Sequence, residues 1–262
     1  MRKREGALPR SVVARNGGVV LILLLAVGLV TVLVLRSGGS QEVAREINAG
    51  RSAPTTTAAS TERTREVAVI GDSYTSGSAV GGRGDRAWPR IVAQLVKRQV
   101  PNAVFKIAAM GGSGYVAQGR TQLTFNDQVR RVVSRNTDVV VIFGSRNDLI
   151  ATNDELEAAV TGTLTTVRSL SPGANIILIG PAWVNEYPPG ALLTQRDLIA
   201  GVARQFGINL LDPVRSQWFT TRKPELVGSD NTHPNDAGHR MMASKIYPIV
   251  LSAIDPTAGM RN

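Results

Sequence analysis

The sequence predicts an α/β protein: a parallel sheet covered by helices on both faces, preceded by one N-terminal transmembrane helix. Three observations lead there. Short, almost uninterrupted apolar runs such as Val67–Ile70, Asp138–Phe143 and Asn175–Ile179 alternate with longer stretches at helical spacing. Apolar runs without polar alternation mark strands buried on both faces, the condition of a parallel sheet between helices. A separate run, Val19–Leu35, holds seventeen residues with no charge and a single hydroxyl, Thr31.

That run sits at the lower end of what crosses a bilayer as a helix. Before it stand Arg2, Lys3, Arg4, Arg10 and Arg15 against one acid, Glu5, so the positive-inside rule keeps residues 1–18 cytoplasmic and exports the chain beyond Arg36. A cleaved signal peptide is the rival reading. The run is longer than a usual signal core, and Arg36 occupies the place of a small-residue cleavage site, which favours an uncleaved anchor over 19–35 that contacts membrane lipid. Residues 36–65 read as a flexible Thr/Ala/Ser/Pro linker, too polar and too small to order itself by burial, with a short helical turn expected over Glu42–Ile47.

From Val67 strand and helix signals alternate. Val67–Ile70 is a strand ending in Gly71. Pro89 suits the first position of a helix carrying Ile91, Val92, Leu95 and Val96. Ala103–Ala108 is a second strand, stopped by Gly111-Gly112-Ser113-Gly114, and Leu123, Val129, Val132 and Val133 belong to a helix. Asp138–Phe143 is the clearest strand. Asn153 or Asp154 caps a helix running to Leu170, where Ser171-Pro172-Gly173 ends it. Asn175–Ile179 (strand), Leu192–Phe206 (helix) and Ile208–Leu211 (strand) come next, and Asn235 or Asp236 opens a last helix to about Ser252. The catalytic domain is therefore set at 66–255, with 256–262 a tail.

Composition removes several classes of function. The net charge of +10 is mostly the flank of the apolar run, since residues 1–65 carry +6 and 66–262 only +4. Without a basic stripe interleaved with aromatics, no nucleic-acid partner is expected. No cysteine is present, so there is neither disulfide nor thiol chemistry. Two histidines are too few for a hydrolytic metal centre, and neither metal nor cofactor is expected. Oligomeric state is not legible.

The chemistry lies at strand ends, where such sheets bind ligands. Ser73 comes after the first strand, Gly111–Gly114 after the second and Asn147-Asp148 after the third; His233 lies between the last strand and the last helix. A serine hydroxyl needs a base to become a nucleophile. His233 is the natural base, and Asp230, three residues earlier, can orient its ring. The plain alternatives are a helix-capping Ser73 and a surface His233. Their pairing across the chain, with histidine so scarce, outweighs both. His239, inside the last helix, reads as packing or surface. Asp72 reads as a turn residue or a support behind the serine rather than a metal ligand.

Gly71-Asp72-Ser73, Gly111-x-x-Gly114, Asn147-Asp148 and Asp230-x-x-His233 together resemble, in order, the four blocks of the SGNH (GDSL-type) hydrolase superfamily, over roughly residues 66–255. The resemblance implies a three-layer α/β/α flavodoxin-like fold and a Ser73–His233–Asp230 triad. It also implies an oxyanion hole of the Ser73 and Gly114 backbone N–H groups with the Asn147 side chain. Two positions depart from the pattern: Ser145 stands where glycine is usual, and Ala109 replaces an asparagine. Asp148 and Arg146 are placed beside Asp72 as supports or substrate contacts, although Arg146 reads first as a solvated loop charge. Ser76–Arg86, rich in glycine, is expected to form a mobile rim, with Trp88 packed under it.

The expected function is an extracytoplasmic, membrane-tethered serine esterase acting through an acyl-serine. An SGNH-type O-acyltransferase and a catalytically silent glycan-binding domain are the alternatives. The tether and topology resemble envelope proteins of high-GC Gram-positive bacteria, an association that suggests O-acyl groups on envelope glycans or glycolipids as the ester substrate.

Overall fold

Val67 to Ile70 are fully buried on both sides of the strand that carries them, because that strand, β1 (Arg65–Gly71), has a neighbour along each edge. In the computed structural model, which describes residues 63–257, β1 pairs in parallel with β2 (Ala103–Ala109) and with β3 (Thr137–Phe143). β4 (Asn175–Ile179) and the short edge strand β5 (Leu210–Leu211) complete a five-stranded parallel sheet of order β2-β1-β3-β4-β5. This is the flavodoxin-like order, whose connections diverge between β1 and β3 and open a crevice at their carboxyl ends. The expected membrane helix over 19–35, the segment 1–18, the linker up to residue 62 and the turn over Glu42–Ile47 lie outside the described residues. Among the described residues no helix is long and apolar enough to cross a membrane.

The period of two in a strand divides the core into two layers. Val67, Val69, Val139, Val141 and Phe143 point to one face, where they meet Trp88, Val92 and Val96 of α2 (Trp88–Lys97) and Met242, Ile246 and Val250 of α6 (Asp236–Ile254). Ala68, Ile70, Val140 and Ile142 point to the other. There they meet α3 (Phe125–Val132), α4 (Asn153–Leu170) and α5 (Gly190–Gln205) through Phe125, Val129, Leu156, Val160, Leu164, Ile199 and Val202. Each fully buried aliphatic side chain is worth roughly 1.5–3 kcal/mol, so the register of the three central strands is fixed from both faces. The outcome is the expected three-layer α/β/α architecture.

Helix starts differ from expectation where a side chain, rather than apolar spacing, sets them. α4 is capped by Thr152, not Asn153 or Asp154: Thr152 Oγ1 accepts from the Glu155 N–H while the Glu155 carboxylate takes the Thr152 N–H and hydroxyl, a reciprocal capping box. Thr124 and Asp127 do the same for α3, which leaves Leu123 before the helix and Val133 after it. Asn235 does cap α6, accepting from the Ala237 and Gly238 N–H groups, and that helix runs on to Ile254. β5 is shorter than the apolar run suggested, because only Leu210 and Leu211 find partners, on Leu178 and Ile179.

Candidate active site

The turn after β1 is held open for a reactive side chain by Asp72. This residue is the N-cap of α1 (Ser73–Ser76), and its Oδ1 accepts from the Tyr74 N–H at 2.8 Å. Ser73 is thus the first helical residue, where backbone N–H groups have no partner within the helix. Gly71, just before, donates its N–H to Oε1 of the fully buried Gln128 at 3.1 Å, and Gln128 Nε2 donates to Ser113 Oγ at 2.8 Å. One side chain of α3 therefore joins the serine turn to the glycine-rich turn after β2. The sequence carries a single trace of this role, a polar residue on the apolar stripe of Phe125, Val129 and Val132.

The last strand-to-helix loop brings the base. His233 Nε2 lies 3.1 Å from Ser73 Oγ, and His233 Nδ1 lies 2.7 Å from Asp230 Oδ2. A carboxylate only accepts, so Nδ1 carries the proton and Nε2 is left to receive one from the serine. Asp230 Oδ1 also accepts the Thr232 and His233 N–H groups at 3.0 and 2.9 Å. Its pKa falls to about 2: what burial there is pulls the other way, and the hydrogen bonds from His233 and Thr232 prevail. It is thus an anion at neutral pH. Tyr74 ties the two loops together, its hydroxyl donating to the Thr232 carbonyl at 2.7 Å and its ring packed 6.2 Å from that of His233. Nothing in the sequence separates Tyr74 from any other buried aromatic, and its part in the site is visible only in the folded chain.

Around this relay, Asp148 is the organiser. It is 1% exposed, and its carboxylate accepts three successive backbone N–H groups, those of Tyr115, Val116 and Ala117, each at 2.9 Å. Burial raises its pKa and these three bonds work against the rise. A Cβ on Gly114 would stand 2.3 Å from an Asp148 oxygen, so only glycine admits the carboxylate there. This corrects the role expected of Gly114. Its N–H donates to the Ala117 carbonyl at 2.7 Å and closes the turn around Asp148. The glycine that faces the serine is Gly111, where an added Cβ would lie 3.9 Å from Ser73 Cβ. Asn147 arrives from β3, with Nδ2 donating to the Ser113 carbonyl at 2.8 Å and to Asp72 Oδ2 at 3.1 Å. Ser145, in place of the usual glycine, accepts from the Asn147 N–H at 2.8 Å and donates to the same Ser113 carbonyl at 3.1 Å.

Two further expectations change. Arg146 is not a solvated loop charge: it is half-buried, and its Cζ lies 4.2 Å from the ring centroid of Trp183. The glycine-rich segment 76–86 is pinned rather than mobile, through the Gly82 N–H to Asp236 Oδ1 at 2.8 Å and the Arg86–Asp236 ion pair at 2.9 Å. Gly82, with φ of 70°, lies directly on the ring of His239, whose Nδ1 accepts the Trp88 N–H at 3.2 Å. His239 and Trp88 are core residues, each 0% exposed. Among the described residues no group of three or more His, Asp or Glu gathers at metal-binding spacing. A cavity of about 490 Å³ bounded by Arg63, Arg65 and Asn102 lies at the amino ends of β1 and β2, opposite Ser73.

Two buried groups give opposing pH dependences of stability. Burial pushes Asp72 from 3.8 up to about 7, against the Tyr74 hydrogen bond. The unfolded chain releases this proton first, so Asp72 withdraws stability as pH rises from about 4 to about 7. Burial lowers His239 from 6.5 to about 4, and its contribution is lost as pH falls through that window. Asp72→Asn is therefore expected to gain stability relative to wild type as pH rises from 4 to 7. His239→Asn, which keeps an acceptor for Trp88, is expected to lose it. Each difference is on the order of a few kcal/mol, and parallel urea-unfolding profiles for all three proteins would contradict the assignment.

A serine, an imidazole and a carboxylate in hydrogen-bonding order, at the carboxyl edge of a β2-β1-β3-β4-β5 sheet, define the class of α/β serine hydrolases. Residues 69–241 match the GDSL-like Lipase/Acylhydrolase family, and the chain belongs to that family: it is a serine hydrolase of carboxylic esters. A GDSL lipase of Mycobacterium tuberculosis is 38% identical over 191 residues, covering 72% of this chain and 82% of the relative. Solved structures share the fold. One is an acetyl xylan esterase (TM-score 0.56, 21% identity, 71% of this chain and 99% of the other). Another is a family two carbohydrate esterase from Clostridium thermocellum in complex with cellohexaose (TM-score 0.55, 18% identity, 71% and 63%).

Proposed function

We propose that the protein is a membrane-tethered, extracytoplasmic esterase that removes O-acyl groups from envelope glycans or glycolipids through an acyl-serine intermediate. The observation that carries the mechanism is the relay from Ser73 Oγ to His233 Nε2 at 3.1 Å and from His233 Nδ1 to Asp230 at 2.7 Å. Ser73 Oγ attacks the ester carbonyl and its proton passes to Nε2. The imidazolium, held by Asp230, gives that proton to the departing alkoxide. Water then repeats the exchange and frees the acid.

Charge on the carbonyl oxygen is met by the Ser73 N–H, by Gly111 in the place expected of Gly114, and by the Asn147 amide, which turns one Nδ2–H from Asp72 to the oxyanion. Preorganised donors of this kind supply much of the rate enhancement in acyl transfer. The tethered location rests on the charge-flanked apolar run Val19–Leu35. The substrate class rests on that location and on the carbohydrate esters named for the structural neighbours.

A fluorophosphonate probe is expected to label the wild-type protein and Ser145→Ala, and to leave Ser73→Ala unlabelled. Labelling that survives Ser73→Ala would remove Ser73 from the role. Release of free acid with and without an added glycan acceptor checks the reaction type, because transfer to the acceptor in preference to water would make the enzyme an acyltransferase.

A further inference from the structure

We propose that Arg146, laid on the indole of Trp183, determines specificity by binding an anionic oxygen group, carboxylate or phosphate, on the ester substrate. The inference rests on the reading of Ser73 as the nucleophile and deepens it. Arg146 immediately precedes Asn147 in the turn after β3. Its Cζ stands 4.2 Å from the Trp183 ring centroid. Stacking engages the flat face of a guanidinium and leaves its N–H edge for planar acceptors, which is why arginine rather than lysine serves at such sites.

That edge is satisfied only in part by the protein, through the Tyr74 side chain. Nη1 is buried and has no hydrogen-bond partner, and among the described residues no carboxylate forms an ion pair with Arg146. The ionisable groups that feel its charge are Asp72 and Tyr74, both favoured by it in their charged forms, and these residues bracket Ser73. Asp72 is a poor counter-ion, since its oxygens already take the Tyr74 N–H and the Asn147 amide. A cationic donor buried without an acceptor is costly and rare in native structures. Here it belongs to the guanidinium that acts on Asp72 and Tyr74, the two residues flanking the nucleophile in the chain, and an oxygen of the substrate completes it.

The test measures kcat/KM of the full-length chain for three esters: acetylglycerol, acetylglycerol phosphate and hemisuccinylglycerol. The second places the anion on the alcohol, the third on the acyl group. In Arg146→Gln the ratio of anionic to neutral kcat/KM is expected to fall about 10- to 100-fold for one of the charged esters, the size of a charge-assisted hydrogen bond. Arg146→Lys should recover part of it, and the arm affected identifies the source of the anion. Unchanged ratios on both charged esters, in a variant still labelled by fluorophosphonate at Ser73, overturn the inference alone. A wild-type protein that neither takes the probe nor hydrolyses any of the three removes the nucleophile and this inference with it.

Discussion

Replacing His233 with glutamine is expected to lower kcat for ester hydrolysis by about 10⁴-fold or more while shifting the thermal midpoint by only a few degrees. Among the described residues, the imidazole is the group that meets Ser73 Oγ and can take its proton, across 3.1 Å. Glutamine removes that capacity. It leaves in place the His233 backbone N–H bond to Asp230, which does not depend on the side chain. The ring is partly exposed at the end of the sheet rather than in its core, so little packing is lost. Steady-state kinetics with circular-dichroism melts check both halves. A variant within 100-fold of wild type would show that another base acts.

The second large effect falls on stability. Asp148→Ala is expected to cost about 3–5 kcal/mol, because it strips two buried N–H groups and one part-buried one of their acceptor and empties the space that Gly114 leaves open. Asp148→Asn, which keeps an oxygen at the site but loses the charge and one acceptor, should lose less. Urea unfolding provides the measurement, and a loss below about 1 kcal/mol for the alanine variant would mean that the turn around residues 115–117 holds itself. The effect should spread to catalysis in surviving molecules, since Gln128 and Ser113 link this turn to the one bearing Ser73.

Much of the fold is legible in the sequence because its central strands are buried on both faces and read as unbroken apolar runs. Val67–Ile70, Asp138–Phe143 and Asn175–Ile179 lie within or fill the observed strands, and a serine, a glycine-rich turn and an asparagine after the first three strands, with a histidine after the last, can be placed at one edge. What escapes is local hydrogen bonding that leaves no periodicity. Thr152 and Thr124 set helix starts through single hydroxyls, and the N–H of Gly114 turns inward because Asp148 lies behind it. Neither fact can be had from spacing, which is why the N–H expected from Gly114 at the oxyanion is found on the Ala117 carbonyl instead. Arg146 misleads for a related reason: its partner Trp183 lies beyond the next strand, and a charge in a loop gives no sign of a ring arriving from elsewhere.

Asp230 anchors the ring of His233 with one oxygen and the backbone of the same tight turn with the other. Acid–base partner and steering anion are therefore carried on a single rigid cassette, and drift in the surrounding loops displaces them together. Only one gap, that to the serine across the tyrosine strut at Tyr74 and Thr232, is left to tune. Natural variation that adjusts turnover without dismantling the relay should accordingly gather around that strut, not within the cassette.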